Sequence, residues 1–223
     1  FLDPACGSGN FLTETYISLR RLENEMLSLL HQGQIMLNVG NPIKVSIGQF
    51  YGIEINDFAV TVAKTALWIA ESQMMKETED VVHMSLDFLP LKSYANITEG
   101  NALQVDWASV VPKHELNYIM GNPPFVGYSL QSKEQKADIL SVYVDEKGKP
   151  YKTAGKIDYV SGWYFKAAQL MQDTIIRTAF VSTNSITQGE QVAGVGLPPF
   201  CKTGTSEIGL FLASMNTVSA STK

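Results

Sequence analysis

The sequence predicts an α/β fold in which parallel strands are packed against helices. Short apolar segments with strand character alternate with long segments whose apolar residues recur at helical spacing. Three of the predicted strands run directly into glycine-rich or polar turns. This alternation is typical of parallel sheets covered by helices, which bind ligands at the carboxyl ends of their strands. The candidate site is therefore expected in those turns.

The first predicted unit is a strand, a turn and a long helix. Phe1–Asp3 ends a buried strand, and the turn at 4–10 leads to a helix over 10–31. The apolar face of this helix is assigned to Phe11, Leu12, Tyr16, Leu19, Leu22, Met26, Leu29 and Leu30. A polar stretch over 33–42 is expected to end it.

The second predicted unit repeats this order. A strand over 47–55 carries Glu54 near its end, and a helix over 57–76 follows, with Asp57 placed to stabilise its first turn. One face of this helix is apolar: Val60, Ala63, Leu67, Ala70 and Met74. The remaining predicted elements are a strand over 97–101, a strand over 116–120, a surface loop over 129–155, a helix over 159–172 and a strand over 178–182.

Composition excludes several classes of protein. The 223 residues suit one domain, and neither a long apolar run nor a leader-like segment is present, so we expect a cytoplasmic protein that does not enter a membrane. Two cysteines and three histidines without metal-ligand spacing indicate neither a disulfide framework nor a zinc site. The net charge of -5 has the wrong sign for a domain that holds a polyanion unaided.

The turn Asp3-Pro-Ala-Cys-Gly-Ser-Gly9 has the character of a nucleotide-binding loop. Glycines between a strand and a helix let a ligand approach the backbone and leave N–H groups at the helix start free to bind it. An ordinary turn between a strand and a helix is the alternative. The third glycine of the dinucleotide fingerprint and the Gly-Lys-Ser/Thr of a P-loop are both missing.

Glu54 lies where a predicted strand ends. An ionised carboxylate accepts hydrogen bonds only, which suits the two hydroxyls of a ribose. Capping of the following helix is the alternative, although Asp57 is better placed for that task.

Asn122-Pro123-Pro124-Phe125 is the most specific motif in the chain. Two prolines forbid helix continuation and strand pairing, so the backbone after the strand is rigid. The Asn122 side-chain oxygen and the Pro123 carbonyl can accept both hydrogens of a nucleobase amino group, and Phe125 can stack on an extruded base. The alternative is a stiff turn with Phe125 in the core.

These motifs resemble the class I amino-methyltransferases of DNA, especially the methyltransferase segments of large restriction-modification proteins of the MmeI type. The resembling segments are DPACGSGNFL at 3–12, YGIEIN at 51–56, EGNAL at 99–103, GNPPFVG at 121–127, DYVSGWYFKAA at 158–168 and AFVSTNSITQGEQV at 179–192. The resemblance implies a Rossmann-like, three-layer sheet with helices on both faces, incomplete at both ends. It also implies S-adenosyl-L-methionine as the cofactor.

Carried over by position, the resemblance implies a role for each matching residue. Asp3, Cys6, Gly7 and Gly9 would surround the methionine part of the cofactor, Glu54 would bind its ribose and Asn101 would lie by its adenine. The implied cofactor-binding set also contains Ala5, Asn10, Phe11, Ile55 and Ala102. The implied catalytic residues are Asn122, Pro123, Pro124 and Phe125.

The resulting interpretation is methyl transfer to the exocyclic amino group of a flipped base, adenine N6 with cytosine N4 as the chemical alternative. Residues 1–193 are assigned to the methyltransferase core and residues 194–223 to a divergent tail. DNA would be read by a recognition domain not evident in this chain, and a homo-oligomer is left open. Two other readings remain: an amino-methyltransferase of RNA or protein glutamine, and a truncated cofactor-binding remnant.

Overall fold

The computed structural model describes residues 1–31, 43–83, 95–145 and 147–187. The chain divides into two units, Phe1–Leu116 and Asn117–Lys223. The predicted polar stretch over 33–42 and the predicted tail over 194–223 lie outside the described residues. Among the described helices, none is long and apolar enough to cross a membrane.

Unit 1 contains three parallel strands. The strands are β1 (Leu2–Asp3), β2 (Tyr51–Glu54) and β3 (Asn96–Glu99). Asp3 pairs with Gly52 of β2, and Glu54 of β2 pairs with Glu99 of β3. Because all three run in one direction, the turns that follow them leave the same edge of the sheet.

Two long helices connect these strands, α1 (Asn10–His31) and α2 (Asp57–Val82). The predicted apolar face of α2 is confirmed, since all five of its assigned residues are buried. The Asn56 side chain caps α2 by accepting a hydrogen bond from the Ala59 N–H at 2.9 Å, while Asp57 lies in the first turn. The helix continues six residues past the predicted end at Lys76 and stops at His83, which adopts a left-handed conformation.

The predicted apolar face of α1 is wrong beyond its first turns. Leu12 and Tyr16 are buried, but Leu22, Met26, Leu29 and Leu30 are exposed. The buried side continues instead through Arg20, Asn24 and Leu27, two of which are polar. Helical spacing alone could not show this, because a polar network replaces apolar packing between the two helices.

That network is centred on the hydroxyl of Thr78 in α2. It accepts a hydrogen bond from Nη2 of Arg20 at 2.6 Å and donates one to Oδ1 of Asn24 at 2.7 Å. The fully buried Arg20 guanidinium also forms an ion pair with Glu23, and Oε1 of Glu23 accepts from the Lys44 N–H at 2.6 Å. A buried charge is tolerated only when it is paired in this way.

Two shorter predictions in unit 1 are also corrected. The predicted strand over 47–55 begins as a 3-10 turn, Ile47–Gln49, in which Oε1 of Gln49 accepts from the Ser46 N–H at 3.0 Å. Only Tyr51–Glu54 is strand. The third strand is Asn96–Glu99 rather than 97–101, and a four-residue helix α3 (Trp107–Val110) follows it.

Unit 2 contains two parallel strands, β4 (Tyr118–Gly121) and β5 (Arg177–Phe180), which pair along their full length. The connection includes α5 (Ser161–Met171), close to the predicted helix. The same parallel α/β class as predicted is thus present in each unit.

The predicted surface loop over 129–155 is wrong, because it contains helix α4 (Lys133–Val142). Ser132 and Gln135 form a reciprocal capping box: the Ser132 N–H donates to Oε1 of Gln135 at 3.0 Å, and Oγ of Ser132 accepts from the Gln135 N–H. The Ser-x-x-Gln spacing was a readable signal. The weak periodicity has a physical cause, since Asp138 is one of the buried residues of this helix.

Replacement of Thr78 by valine should destabilise the protein by about 1–3 kcal/mol, because the buried Arg20 guanidinium and Asn24 amide each lose a hydrogen-bond partner. Urea unfolding would measure the free-energy change. Thr65→Val is the matched control, because Thr65 lies on the same helix but is exposed. The hydroxyl groups of Thr65 and Thr78 each contact the carbonyl oxygen of the residue four positions earlier. Equal losses in the two variants would contradict a role for the network.

Candidate functional site

The turn after β1 is held by backbone and side-chain hydrogen bonds. The Ala5 N–H donates to Oδ1 of Asp3 at 3.0 Å, and the Cys6 N–H donates to the Ile53 carbonyl of β2 at 3.1 Å. Gly7 has φ of +54°, a conformation that glycine adopts at little cost. The sequence therefore places glycine where the backbone must turn sharply between the strand and α1.

Gly9 is required for two independent reasons. Its φ is +84°, and a Cβ built on it would lie 3.0 Å from Cβ of Ala63 in α2. The start of α1 therefore packs directly against the second helix. Asn10 and Phe11, which begin α1, are both exposed beside this turn.

Cys6 contributes through its backbone rather than its thiol. The side chain is buried against β2, where a Cβ on Gly52 would lie 2.8 Å from the Cys6 sulfur. Burial raises the pKa of the Cys6 thiol, and the neighbouring Asp3 and Glu54 carboxyls raise it further. The thiol is consequently protonated and unsuited to act as a nucleophile.

Glu54 connects the glycine turn to the second helix. Its Oε2 accepts a hydrogen bond from the Gly7 N–H at 2.9 Å, and its Oε1 accepts one from the Asn56 N–H at 2.9 Å. The alternative of a helix cap is not what the structure shows, because Asn56 caps α2. Each carboxylate oxygen keeps a further acceptor site for a ligand hydroxyl.

Asp3 is a buried carboxyl group at the end of β1. It is 1 % exposed, and desolvation raises its pKa from 3.8 to about 7; the Ala5 N–H opposes this rise and the charge of Glu54 adds to it. A positively charged ligand at this strand edge would stabilise the ionised form of Asp3.

An apolar surface lies next to Glu54 in sequence. Ile55 is 67 % exposed and Phe58, in the first turn of α2, is 74 % exposed. Exposed apolar side chains at a strand end offer a face for a flat ring. The sequence interpretation included Ile55 and missed Phe58, although the helical spacing leaves Phe58 off the buried face of α2.

The turn after β3 completes the strand edge of unit 1. The Gly100 N–H donates to the Glu54 carbonyl at 2.8 Å, which holds this turn against β2. Oδ1 of Asn101 accepts from the Leu103 N–H at 3.0 Å, and the buried Ala102 accepts from Nε1 of Trp107 at 2.8 Å. The predicted cofactor-binding residues thus lie at the ends of β1 and β2, in the turns that follow β1, β2 and β3, and at the start of α1.

Unit 2 holds the predicted catalytic residues at the end of β4. Asn122, Pro124 and Phe125 are exposed, whereas Pro123 is buried. No regular structure follows Gly121 until the turn at Tyr128. A polar amide and an aromatic face are therefore presented from a segment whose two prolines limit its backbone motion.

The residues after this segment are fixed by Asp158, which the sequence interpretation left without a role. Oδ1 of Asp158 accepts from the Tyr128 N–H at 3.0 Å, and Oδ2 accepts from Oγ of Ser185 at 2.9 Å. The Tyr159 N–H donates to the Val126 carbonyl at 2.9 Å. One carboxylate thus supports the segment that carries Asn122 and Phe125. Among the described residues, no cluster of side chains is suited to hold a metal ion.

Comparison with known proteins gives three findings. Residues 1–206 match the family described as "MmeI, DNA-methyltransferase domain". DNA methyltransferase A of Bacillus subtilis (strain 168) is 45% identical over 198 residues, which cover 86% of this chain and 22% of that protein. A putative type II restriction enzyme and methyltransferase of Methanocaldococcus jannaschii is 32% identical over 108 residues, 48% of this chain and 8% of that protein.

A solved structure has the same fold. It is the Type IIL restriction-modification enzyme MmeI in complex with DNA, with a TM-score of 0.79 and 47% identity, covering 87% of this chain and 26% of the solved one. The match confirms the predicted α/β class. The chain spans about a quarter or less of the length of these relatives.

The pKa of Asp3 predicts an unusual dependence of stability on pH. Because this pKa lies near 7 in the folded state and 3.8 is its ordinary value, the folded protein holds a proton that the unfolded chain has lost between those pH values. The free energy of unfolding should therefore fall as pH rises through this window. Urea unfolding at several pH values would show a flatter profile for Asp3→Asn.

Asp80→Asn is the control for this measurement, because Asp80 is an exposed carboxylate on α2. It should keep the slope of the wild-type profile. An Asp3→Asn profile that runs parallel to the wild type would contradict a raised pKa at Asp3.

Proposed function

The chain belongs to the family of MmeI DNA-methyltransferase domains, and on that premise we propose that it transfers the methyl group of S-adenosyl-L-methionine to the exocyclic amino group of a flipped DNA base, adenine N6, in a restriction-modification system. The observation that carries the proposal is the exposed Asn122 and Phe125 on the rigid Asn-Pro-Pro-Phe segment at the end of β4. Unit 1 offers residues for the methyl donor, and unit 2 offers residues for the amino group.

The turns of unit 1 fit the parts of this cofactor. Asp3 is a buried carboxyl group whose pKa is raised to about 7, so the ammonium and sulfonium charges of a methionine-derived ligand would stabilise its ionised form. Glu54 has acceptor sites left for the two ribose hydroxyls, and Ile55 offers an apolar face for the adenine ring. When bound, the cofactor supplies an electrophilic methyl group.

The glycine turn explains how such a ligand can lie close to the backbone. A side chain at Gly9 would collide with Ala63, and the conformation of Gly7 presents its N–H to Glu54. Glu54 therefore orients the turn through the hydrogen bond that it accepts from the Gly7 N–H. The remaining members of the proposed set, Ala5, Cys6, Asn10, Phe11, Asn101 and Ala102, shape the wall by backbone and packing.

The chemistry proposed for unit 2 is positioning rather than activation. An amino group on a nucleobase is a poor nucleophile because its lone pair is delocalised into the ring. Two acceptors, the Asn122 side-chain oxygen and the Pro123 carbonyl, would hold its hydrogens and favour a pyramidal nitrogen. Phe125 would stack on the base, and Pro124 would keep the backbone from rearranging.

A methylation assay on the full-length protein tests this function. With a labelled methyl donor and duplex DNA, Asn122→Ala should lower turnover by about 10²- to 10³-fold, as loss of a transition-state hydrogen bond does elsewhere. Asn117→Ala is the matched control, since Asn117 is an exposed asparagine next to β4 whose backbone carbonyl, not its side chain, accepts from Arg177. Mass spectrometry of the nucleosides would distinguish N6-methyladenine from N4-methylcytosine.

Either of two outcomes would overturn the proposal. One is wild-type turnover by Asn122→Ala. The other is methylation of RNA or of protein glutamine in preference to DNA when the substrates compete. A chain that binds the cofactor but methylates none of these would be a cofactor-binding remnant.

Glu54→Gln should weaken binding of S-adenosylhomocysteine by about tenfold to a hundredfold. A glutamine amide has one neutral oxygen in place of the two charged oxygens that accept from the N–H groups of Gly7 and Asn56. Charge-assisted hydrogen bonds are therefore lost at the turn and at the proposed ribose site. Calorimetry would measure the dissociation constant. Glu99→Gln is the control, because Glu99 is exposed and pairs with Glu54 in the register of the sheet; equal affinities of the two variants would contradict the assigned role.

A further inference from the structure

Positive charge is concentrated in one short part of this acidic chain. Residues 147–156, here called the lysine segment, contain four lysines and no acidic residue. Because the whole chain carries -5, the four positive charges of this segment leave -9 for all other residues. The acidic residues nearest to the segment in sequence, Asp145, Glu146 and Asp158, lie outside its ends. A local excess of positive charge of this kind can attract a polyanion.

The lysine segment begins in a turn with a defined backbone. Oδ1 of Asp145 accepts hydrogen bonds from the N–H groups of Lys147 and Lys149, each at 2.9 Å, and Gly148 between them has φ of +74°. The Tyr151 N–H then donates to the Tyr143 carbonyl at 3.0 Å. All four lysine side chains in the segment are exposed. The turn therefore fixes the backbone while the ammonium groups remain in solvent.

The residues just after the lysine segment are hydrogen-bonded to residues that follow Phe125. Nε2 of the buried Gln131 donates to the carbonyl of Ile157, the residue after the segment, at 2.8 Å. Two residues later, the Tyr159 N–H donates to the carbonyl of Val126 at 2.9 Å. Within unit 2, the lysine segment and the proposed base-binding residues are thus attached to the same short stretch of backbone.

We propose that Lys147, Lys149 and Lys152 bind phosphates of the DNA backbone next to the target base. The inference rests on the proposed function and adds to it a surface through which this unit holds the substrate. The three lysines span six residues, at most about 18 Å of extended chain, which corresponds to about five phosphates along one DNA strand. Lysine forms point-charge contacts with phosphate that do not depend on base sequence.

Such a surface accounts for how an acidic chain could hold DNA near its base-binding residues. Repulsion between phosphates and the -9 charge of the other residues has to be offset locally, where the base leaves the duplex. Contacts to phosphates on either side of a flipped nucleotide would fix the strand while its base is held by Asn122 and Phe125.

The test compares two triple variants of the full-length protein. The first variant removes the three charges of the lysine segment by Lys147→Gln, Lys149→Gln and Lys152→Gln. The second variant removes three charges from unit 1 by Lys44→Gln, Lys64→Gln and Lys76→Gln, so the net charge changes equally in both. Binding of a fluorescent DNA duplex is measured over a range of salt concentrations. Each lost phosphate contact lowers the salt slope by about 0.9, so the first variant should lose about 2.7 in slope and at least about tenfold in affinity.

Further measurements separate the possible outcomes. The charge-conserving variant Lys147→Arg, Lys149→Arg and Lys152→Arg should bind DNA like the wild type, and S-adenosylhomocysteine affinity should be unchanged in all variants. If the wild type binds and methylates DNA but both glutamine variants have equal salt slopes, this inference is overturned and the proposed function is left intact. An RNA duplex that displaces the DNA would overturn the assignment to DNA. Absence of both DNA binding and methylation in the wild type would overturn both proposals.

Discussion

The organisation of unit 1 depends on one carboxylate that serves two backbone segments. Glu54 accepts from the N–H of Gly7 in the first turn and from the N–H of Asn56 at the start of α2. Each bond is charge-assisted, and each adds to the hydrogen bonds of the Cys6 N–H with the Ile53 carbonyl and of the Ala59 N–H with the Asn56 side chain. The strand pairing of β1 with β2 brings the turns together, and Glu54 then fixes how the first turn faces a ligand.

The proposed ligands of the two units carry charges of opposite sign. In unit 1, the buried Asp3 and its neighbour Glu54 place two carboxyl groups where the proposed cationic ligand would fit, and burial raises the pKa of Asp3 to about 7. In unit 2, the exposed amide of Asn122 and the exposed lysine segment are proposed to bind a substrate whose backbone is anionic. The overall charge of -5 conceals this division, which is why composition alone argued against a role in holding nucleic acid.

Sequence reasoning succeeded where local chemistry determines structure and failed where distant residues do. The glycine turn, Glu54 and the Asn-Pro-Pro-Phe segment could be found because glycine, proline and a strand-end carboxylate each have a strong local preference. The buried face of α1 could not be found in this way, because one partner of the buried Arg20 is Thr78, 58 residues later in the chain. Asp158 was missed for the same reason, since its partners Tyr128 and Ser185 are far apart in sequence.

The buried Arg20–Thr78 pairing also has a consequence for how this family can change over time. Loss of one polar partner leaves the other buried without a hydrogen bond, which lowers the free energy of unfolding. Simultaneous replacement of all partners by apolar residues of similar volume lowers it little. Single substitutions at Arg20, Asn24 or Thr78 should thus cost stability, whereas replacement of all three together should cost less. Aligned relatives should accordingly show statistical covariation among these three positions, and the alternative state should be an aliphatic triplet rather than a mixture of polar and apolar residues.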